Sequence, residues 1–228
     1  ALEMGFAFGL MVLGVYLTFR VLDFPDLTVD GSLPLGAAVS AVAITAGHHP
    51  VTAIALATGA GFVAGMVTGI LNTKLKILHL LASILTMIAL YSVNLRIMGR
   101  PNMTLLGQDT VVDLFAKSVG LPTYYATPIL FGAVSLAFVA FLAWLLRTEW
   151  GMAMLATGDN PRMITSLGVN THTTIILGVG LSNALVACSG ALVAQNQGSA
   201  DVNMGVGTII AGLASVIVRS EEHTSELQ

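Results

Sequence analysis

The chain has 228 residues, 55% hydrophobic and 9% charged, with a mean hydropathy of +0.86; an ordinary soluble domain carries about a quarter charged residues, so a water-soluble globular fold is excluded. Its 24 glycines, against 7 prolines and 7% aromatics, suit closely packed bilayer helices better than an outer-membrane barrel, whose strands alternate apolar and polar residues with period two. The net charge of −3 supplies no basic field for nucleic acid, and the expected class is an all-α polytopic helical membrane protein.

A bilayer core about 30 Å thick takes roughly 20 apolar helical residues. Spans are expected near 4–22, 33–47, 51–71, 77–98, 128–146 and 175–194, with a seventh starting near 205, so about 6–7 in all. The second is short enough to be a half-helix. Between the first two lies Asp23-Phe24-Pro25-Asp26-Leu27-Thr28-Val29-Asp30-Gly31-Ser32, with three carboxylates and a proline. Pro25 blocks helix continuation, and Asp30-Gly31-Ser32 reads as a turn followed by a helix start. Two readings stay open. The segment is an ordinary surface loop, or it is a short broken helix near 23–32 lining a water-filled cavity, the setting in which non-helical backbone is tolerated at membrane depth. On the second reading Asp23, Asp26, Thr28 and Asp30 border a solute path.

His48 and His49 precede Pro50, and His79 and His172 stand alone at span edges. None has a second ligand at metal spacing, so neither a metal nor a cofactor is expected. The third span carries Ala53, Ala57, Gly61, Gly65 and Gly69, a small residue every four positions that lines one helix face for close packing. The sixth repeats the tendency with Gly180, Ala184 and Cys188 on one face and Gly178, Ser182, Val186 and Gly190 on a neighbouring one. Cys188, the single cysteine, reads as a packing residue, since apolar surroundings suppress the thiolate.

Polar residues inside apolar spans must find a partner or water. In the fourth span Ser83, Thr86, Ser92 and Asn94 interrupt the run, with Ser83, Thr86 and Asn94 roughly on one side, and Asn183 lies within the sixth. They either bond between helices or line a solute path. The longest polar connection, 99–127, is too short and too poor in apolar periodicity for a soluble domain. The chain contains no G-x-x-x-x-G-K-[ST], HExxH or G-x-S-x-G motif, so no catalytic residue is expected and any energy from ATP would come from another polypeptide.

The connection Arg147 to Asn170 contains its own helix signals. Asn160 suits an N-cap, Pro161 the first helical position and Gly168 the stop, giving a helix of about seven residues that needs docking to be stable. Lys74, Lys76, Arg147 and Arg162 would put 72–76 and 147–174 in the cytoplasm, and 47–50, 99–127 and 195–204 outside. Arg219 to Gln228 is an abrupt polar tail resembling a translated sequencing adapter, and it is expected not to be native. Setting it aside leaves Lys+Arg at 8 and Asp+Glu at 9, a net charge of about −1. Residues 1–218 are then expected to form one transmembrane domain truncated at both ends.

The pattern T-x-W-G-x-x-x-x-A-x-G-D-N-P-x-M-x-x-x-L-G-V-N over Thr148 to Asn170 resembles the cytoplasmic coupling loop of ABC importer permeases of the branched-chain amino acid and ribose type. Phe24 to Ala38 and Ile84 to Asn102 look like the subgroup of tryptophan/tyrosine transport permeases, and Gly205 to Val218 fits that family's glycine-rich later helix. The resemblance covers nearly all of residues 1–218. It implies an inner-membrane, multi-pass subunit moving a small organic solute, with an amino acid a candidate, by alternating access. The implied partners are an ATPase subunit, an extracytoplasmic solute-binding protein and a second permease copy. Gly151, Gly158, Asp159, Asn160, Pro161, Met163, Leu167 and Gly168 would form the loop that meets the ATPase; Leu155 stands where the family often has Arg. The path would take Asp23, Asp26, Thr28, Asp30, Ser83, Thr86, Asn94 and Asn183. The competing class is an ATP-independent secondary transporter or channel, which calls for intramembrane ionisable residues; beyond the three aspartates of the break the spans hold almost none.

Overall fold

The computed structural model describes residues 2–120, 123–210 and 212–214. Helix α1, Leu2–Tyr16, continues as a π-helical turn over Leu17–Val21, and the chain then unwinds to Thr28. Next come α2 (Val29–Thr45), α3 (Pro50–Thr73) and α4 (His79–Met98), then strand β1 (Asn102–Thr104), α5 (Val111–Val119) and α6 (Thr123–Leu146). Two short helices, α7 (Glu149–Asp159) and α8 (Pro161–Ser166), lead into α9 (Thr171–Gln197) and strand β2 (Ser199–Asp201). Five of the described helical segments are long and apolar enough to span a bilayer, and α2 is a shorter apolar helix.

The long spans fall where hydropathy puts them; several of the short features do not. The first turn of α2 begins at Val29, so Asp30, Gly31 and Ser32 are already helical and the expected turn there is corrected. The reason is local: the Asp26 carboxylate accepts the Thr28 N–H at 2.9 Å, and the Thr28 carbonyl accepts from Gly31 and Ser32. Helix α6 starts five residues before Pro128, which lies inside it. The 99–127 connection, too short for a soluble domain, contains α5, whose Thr110 and Asp113 form a reciprocal capping box. Of the expected seventh span, 208–210 and 212–214 are helical, while its remainder and the tail lie outside the described residues.

Helix α9 is the axis of the bundle. The α3 strip packs on it: Gly61 meets the Asn183 carbonyl and the Ala187 methyl, Gly65 meets Val179, and Gly69 meets Ile176. Any Cβ at Gly61 or Gly65 would occupy space already filled by α9 backbone, so these glycines set the interhelical distance. Ser182 and Ser189 of α9 donate to the carbonyls of Gly14 and Ala7 of α1, both at 2.7 Å. Helices α1 and α3 therefore run antiparallel to α9. Helix α2 runs parallel to it, from Ser32 beside Asn183 to Ser40 beside Gln195. At that end β1 pairs antiparallel with β2, Met103 opposite Ala200. The opposite end carries the π-helical turn, the 74–78 connection, α7 and α8.

Candidate functional site: a buried polar break and an exposed short helix

Asn183 stands near the midpoint of α9, whose 27 residues span about 40 Å at 1.5 Å per residue. Against it sits the break between α1 and α2. The Asn183 amide donates to Asp26 Oδ2 at 2.7 Å and to the Val179 carbonyl at 3.0 Å, and its Oδ1 accepts from Ser32 Oγ at 2.6 Å. Thr28 Oγ1 and Thr68 Oγ1 of α3 share a hydrogen bond of 3.0 Å. Asp26, Thr28, Ser32, Thr68 and Asn183 are all fully buried. The unwound segment is therefore held inside protein at membrane depth, as an irregular backbone in a bilayer must be. A surface loop is ruled out; in this conformation the segment is packed rather than open to water.

The π-helical turn and the break reverse the chain in little space. Asp23 takes φ +52, Phe24 N donates to the Thr18 carbonyl at 2.9 Å, and the buried Phe24 ring lies edge-on to His79 at the start of α4, 4.5 Å between centroids. Asp23 itself is exposed and does not join the cluster. It borders a cleft of about 840 Å³ shared with Arg20, Leu155, Gly158 and Asp159.

Of the other expected path residues, Asp30 has a different role. Its carboxylate accepts from the N–H groups of Gly207 and Ile209, at 3.4 and 2.9 Å, and from Thr208 Oγ1 at 3.1 Å, capping the helical turn that begins at residue 208. Ser83 and Thr86 are buried on one face of α4 with Asn94, but their hydroxyls bond within their own helix, to Leu80 and Ala82. Asn94 reaches across, donating to the Gly31 carbonyl at 3.2 Å. The break thus gathers Asp26, Thr28 and Asn183, and the sequence reading missed Ser32 and Thr68. In the sequence Ser32 belongs to a turn signal, and Thr68 sits one position before Gly69 of the small-residue strip.

At the end of the bundle, α8 follows the grammar read from the sequence. Asn160 Oδ1 accepts the Met163 N–H at 3.1 Å, Pro161 fills the first turn and Gly168 takes φ +88. Among its residues none is buried, and Met163 and Leu167 are 61% and 67% exposed. Helix α7 before it was not foreseen, although Thr148 caps it by accepting from Gly151 N. Gly151 lies against the backbone of Leu145 and Leu146. Gly158, in the last turn of α7, lies directly on the backbone of Val21 and Leu22, with no room for a Cβ. The 147–170 connection is thereby joined to the end of the π-helical turn, five residues before Asp26. Asp159 is exposed beside this contact.

Residues 1–218 match the family described as branched-chain amino acid transport system, permease component. The tyrosine transport system permease protein of Clostridioides difficile is 45% identical over 213 residues, covering 92% of this chain and 68% of that protein. An uncharacterised protein of Rickettsia prowazekii is 35% identical over 96% of this chain and 75% of its own length. The galactofuranose transporter permease of Escherichia coli is 31% identical over 78% of this chain and 50% of its own length. No solved structure matches the chain.

Proposed function

From the premise that the chain belongs to the branched-chain amino acid transport system permease family, we propose that it is the membrane-spanning subunit of a bacterial ABC importer for an amino acid, tyrosine foremost. It works with a separate ATPase subunit, a solute-binding protein and a second permease copy, and carries no ATPase site of its own. The solute reading is supported by 45% identity to a tyrosine transport system permease.

The observation that carries the mechanism is the backbone contact of Gly158 with Val21 and Leu22. Closure of the ATPase presses on the exposed apolar face of α8 at Met163 and Leu167. With α7 seated on the π-helical turn, that push is delivered to the unwound segment, whose Asp26 is latched to Asn183. Releasing the latch lets the break open toward one side of the bilayer and then the other, so Asp23, Asp26, Thr28 and Asn183 border the path in turn. Because bistable packed elements rather than continuous deformation carry such switches, a short stiff lever ending on a helix break suits the task.

The test is uptake and ATP hydrolysis measured side by side in the reconstituted importer. Gly158→Leu and Pro161→Gly should leave membrane insertion and ATP hydrolysis in place while uptake falls at least about tenfold, equivalent to 1.4 kcal/mol or more of lost coupling. Uptake at the wild-type ratio to hydrolysis in both variants refutes the lever.

A further inference from the structure

We infer that the cavity between the first turns of α2 and the middle of α4 is a solute subsite that takes the ammonium group of an amino acid; this rests on the amino-acid reading above. The cavity has a volume of about 290 Å³ and is walled by Asp30, Gly31, Met87, Ile88, Tyr91 and Asn94, with the 202–206 loop completing it. Asn94 is 1% exposed, and its amide nitrogen is used on the Gly31 carbonyl. Its Oδ1 is the one buried side-chain polar atom among the described residues that has no hydrogen-bond partner. A buried acceptor left empty is unfavourable, and a donor entering from the cavity relieves it.

Charge decides which donor. The cavity wall holds Asp30 and no lysine, arginine or histidine. Gly207, Thr208 and Ile209 order the Asp30 carboxylate through neutral donors and leave its negative charge in place. A ligand whose only charge is a carboxylate or phosphate would meet that charge unopposed, whereas an ammonium group meets an acceptor and an anion together; the amino acid's own carboxylate then has to point away from Asp30, toward the exposed edge at Ile88 and Tyr91. Met87, Ile88 and Tyr91 offer thioether, aliphatic and ring surface for an apolar or aromatic side chain. The volume suits one amino acid and sits at the small end of ligand pockets.

The experiment uses the permease and ATPase subunits together in lipid nanodiscs, without the binding protein, and measures equilibrium binding of radiolabelled L-tyrosine. Asn94→Leu should weaken binding about tenfold. Asn94→Asp keeps an acceptor but gives up the donation to Gly31, and should stay within about threefold of wild type. Were Asn94 needed only to hold Gly31, both substitutions would weaken binding equally, which overturns the inference. Ile88→Trp, at an exposed position, should fill the cavity and lower affinity without touching the polar groups, so the conclusion survives if the leucine variant fails to fold. Tyramine should displace tyrosine, and 3-(4-hydroxyphenyl)propionate at the same concentration should not; the reverse order overturns the ammonium assignment. Absence of saturable tyrosine binding, or a cavity closed to tyramine and filled only by lipid acyl chains, also overturns it. ATP-driven tyrosine uptake by the complete importer is measured separately: uptake without permease binding sinks the subsite alone, and no uptake sinks the solute reading with it.

Discussion

Asp26 is fully buried, and its carboxylate is held by the Asn183 amide and the Thr28 N–H, at 2.7 and 2.9 Å. Removing both bonds while leaving their donors buried should be costly. Asp26→Leu is expected to destabilise the folded protein by about 1–3 kcal/mol, read as a lowered unfolding midpoint in detergent, and Asp26→Asn by less because one acceptor remains. An unshifted midpoint for the leucine variant would mean the latch contributes nothing to the resting state. A cysteine at position 26 should be silent to a water-soluble thiol reagent in the conformation described and reactive in a second nucleotide state. The native Cys188 is 3% exposed and should add no background. Reactivity identical in all nucleotide states would remove the break from the switching element. The sequence marks Asp26 as unusual because a carboxylate between apolar runs is rare, but its partner is 157 positions away. Local spacing carries no information on such a pair, nor on Ser32 with Asn183, 151 positions apart, or Thr28 with Thr68, 40 apart.

At the scale of elements, the strip on α3 was legible as period four and its partner was not, although α9 carries a matching set of small residues. Position along the strip now separates glycines that look alike in sequence. Gly61→Val should collide with the Asn183 carbonyl and cost about 1–3 kcal/mol or more by overpacking. Gly59→Val, two residues away with no atom within 4 Å of its added Cβ, should be tolerated. The yield of monodisperse protein after detergent extraction and its unfolding midpoint check both. Equal loss in the two variants would mean that helix propensity rather than the α3–α9 contact dominates. Helices α5 and α7 escaped the sequence reading for a common reason. Each is announced by a cap, Thr110 with Asp113 and Thr148 with Gly151, and not by a long apolar run. Elements at the ends of the bundle lack the apolar run that marks a span.

Across the whole molecule, α2, α3 and α9 are interlocked backbone to backbone: Gly36 and Gly190 join α2 to α9 much as Gly61 and Gly65 join α3 to it. Such a block has few alternative packings, so relative motion belongs to what surrounds it: the π-helical turn, α7, α8 and the lightly buried α6. The β1–β2 pairing belongs to the same rigid part. A disulfide formed by Met103→Cys with Ala200→Cys, which face each other across the two strands, should therefore leave ATP-driven uptake within about twofold of wild type, equivalent to about 0.4 kcal/mol. Uptake that falls when the bridge forms and returns on reduction would show that this end has to open.

The unwound residues after Val21 also decide how often the chain crosses the bilayer. Counting only the five full-length apolar helices, an odd number, would leave Leu2 and Asp201 on opposite faces. The break and α2 together make one further traverse, because the chain climbs from the α7 end to the level of Asn183 without helix and completes the passage as α2. Parity then becomes even, in agreement with the contacts that put Ala7 beside Ser189 and β2 beyond Gln197. Reporter fusions ahead of α1 and just after β2 should accordingly read the same compartment.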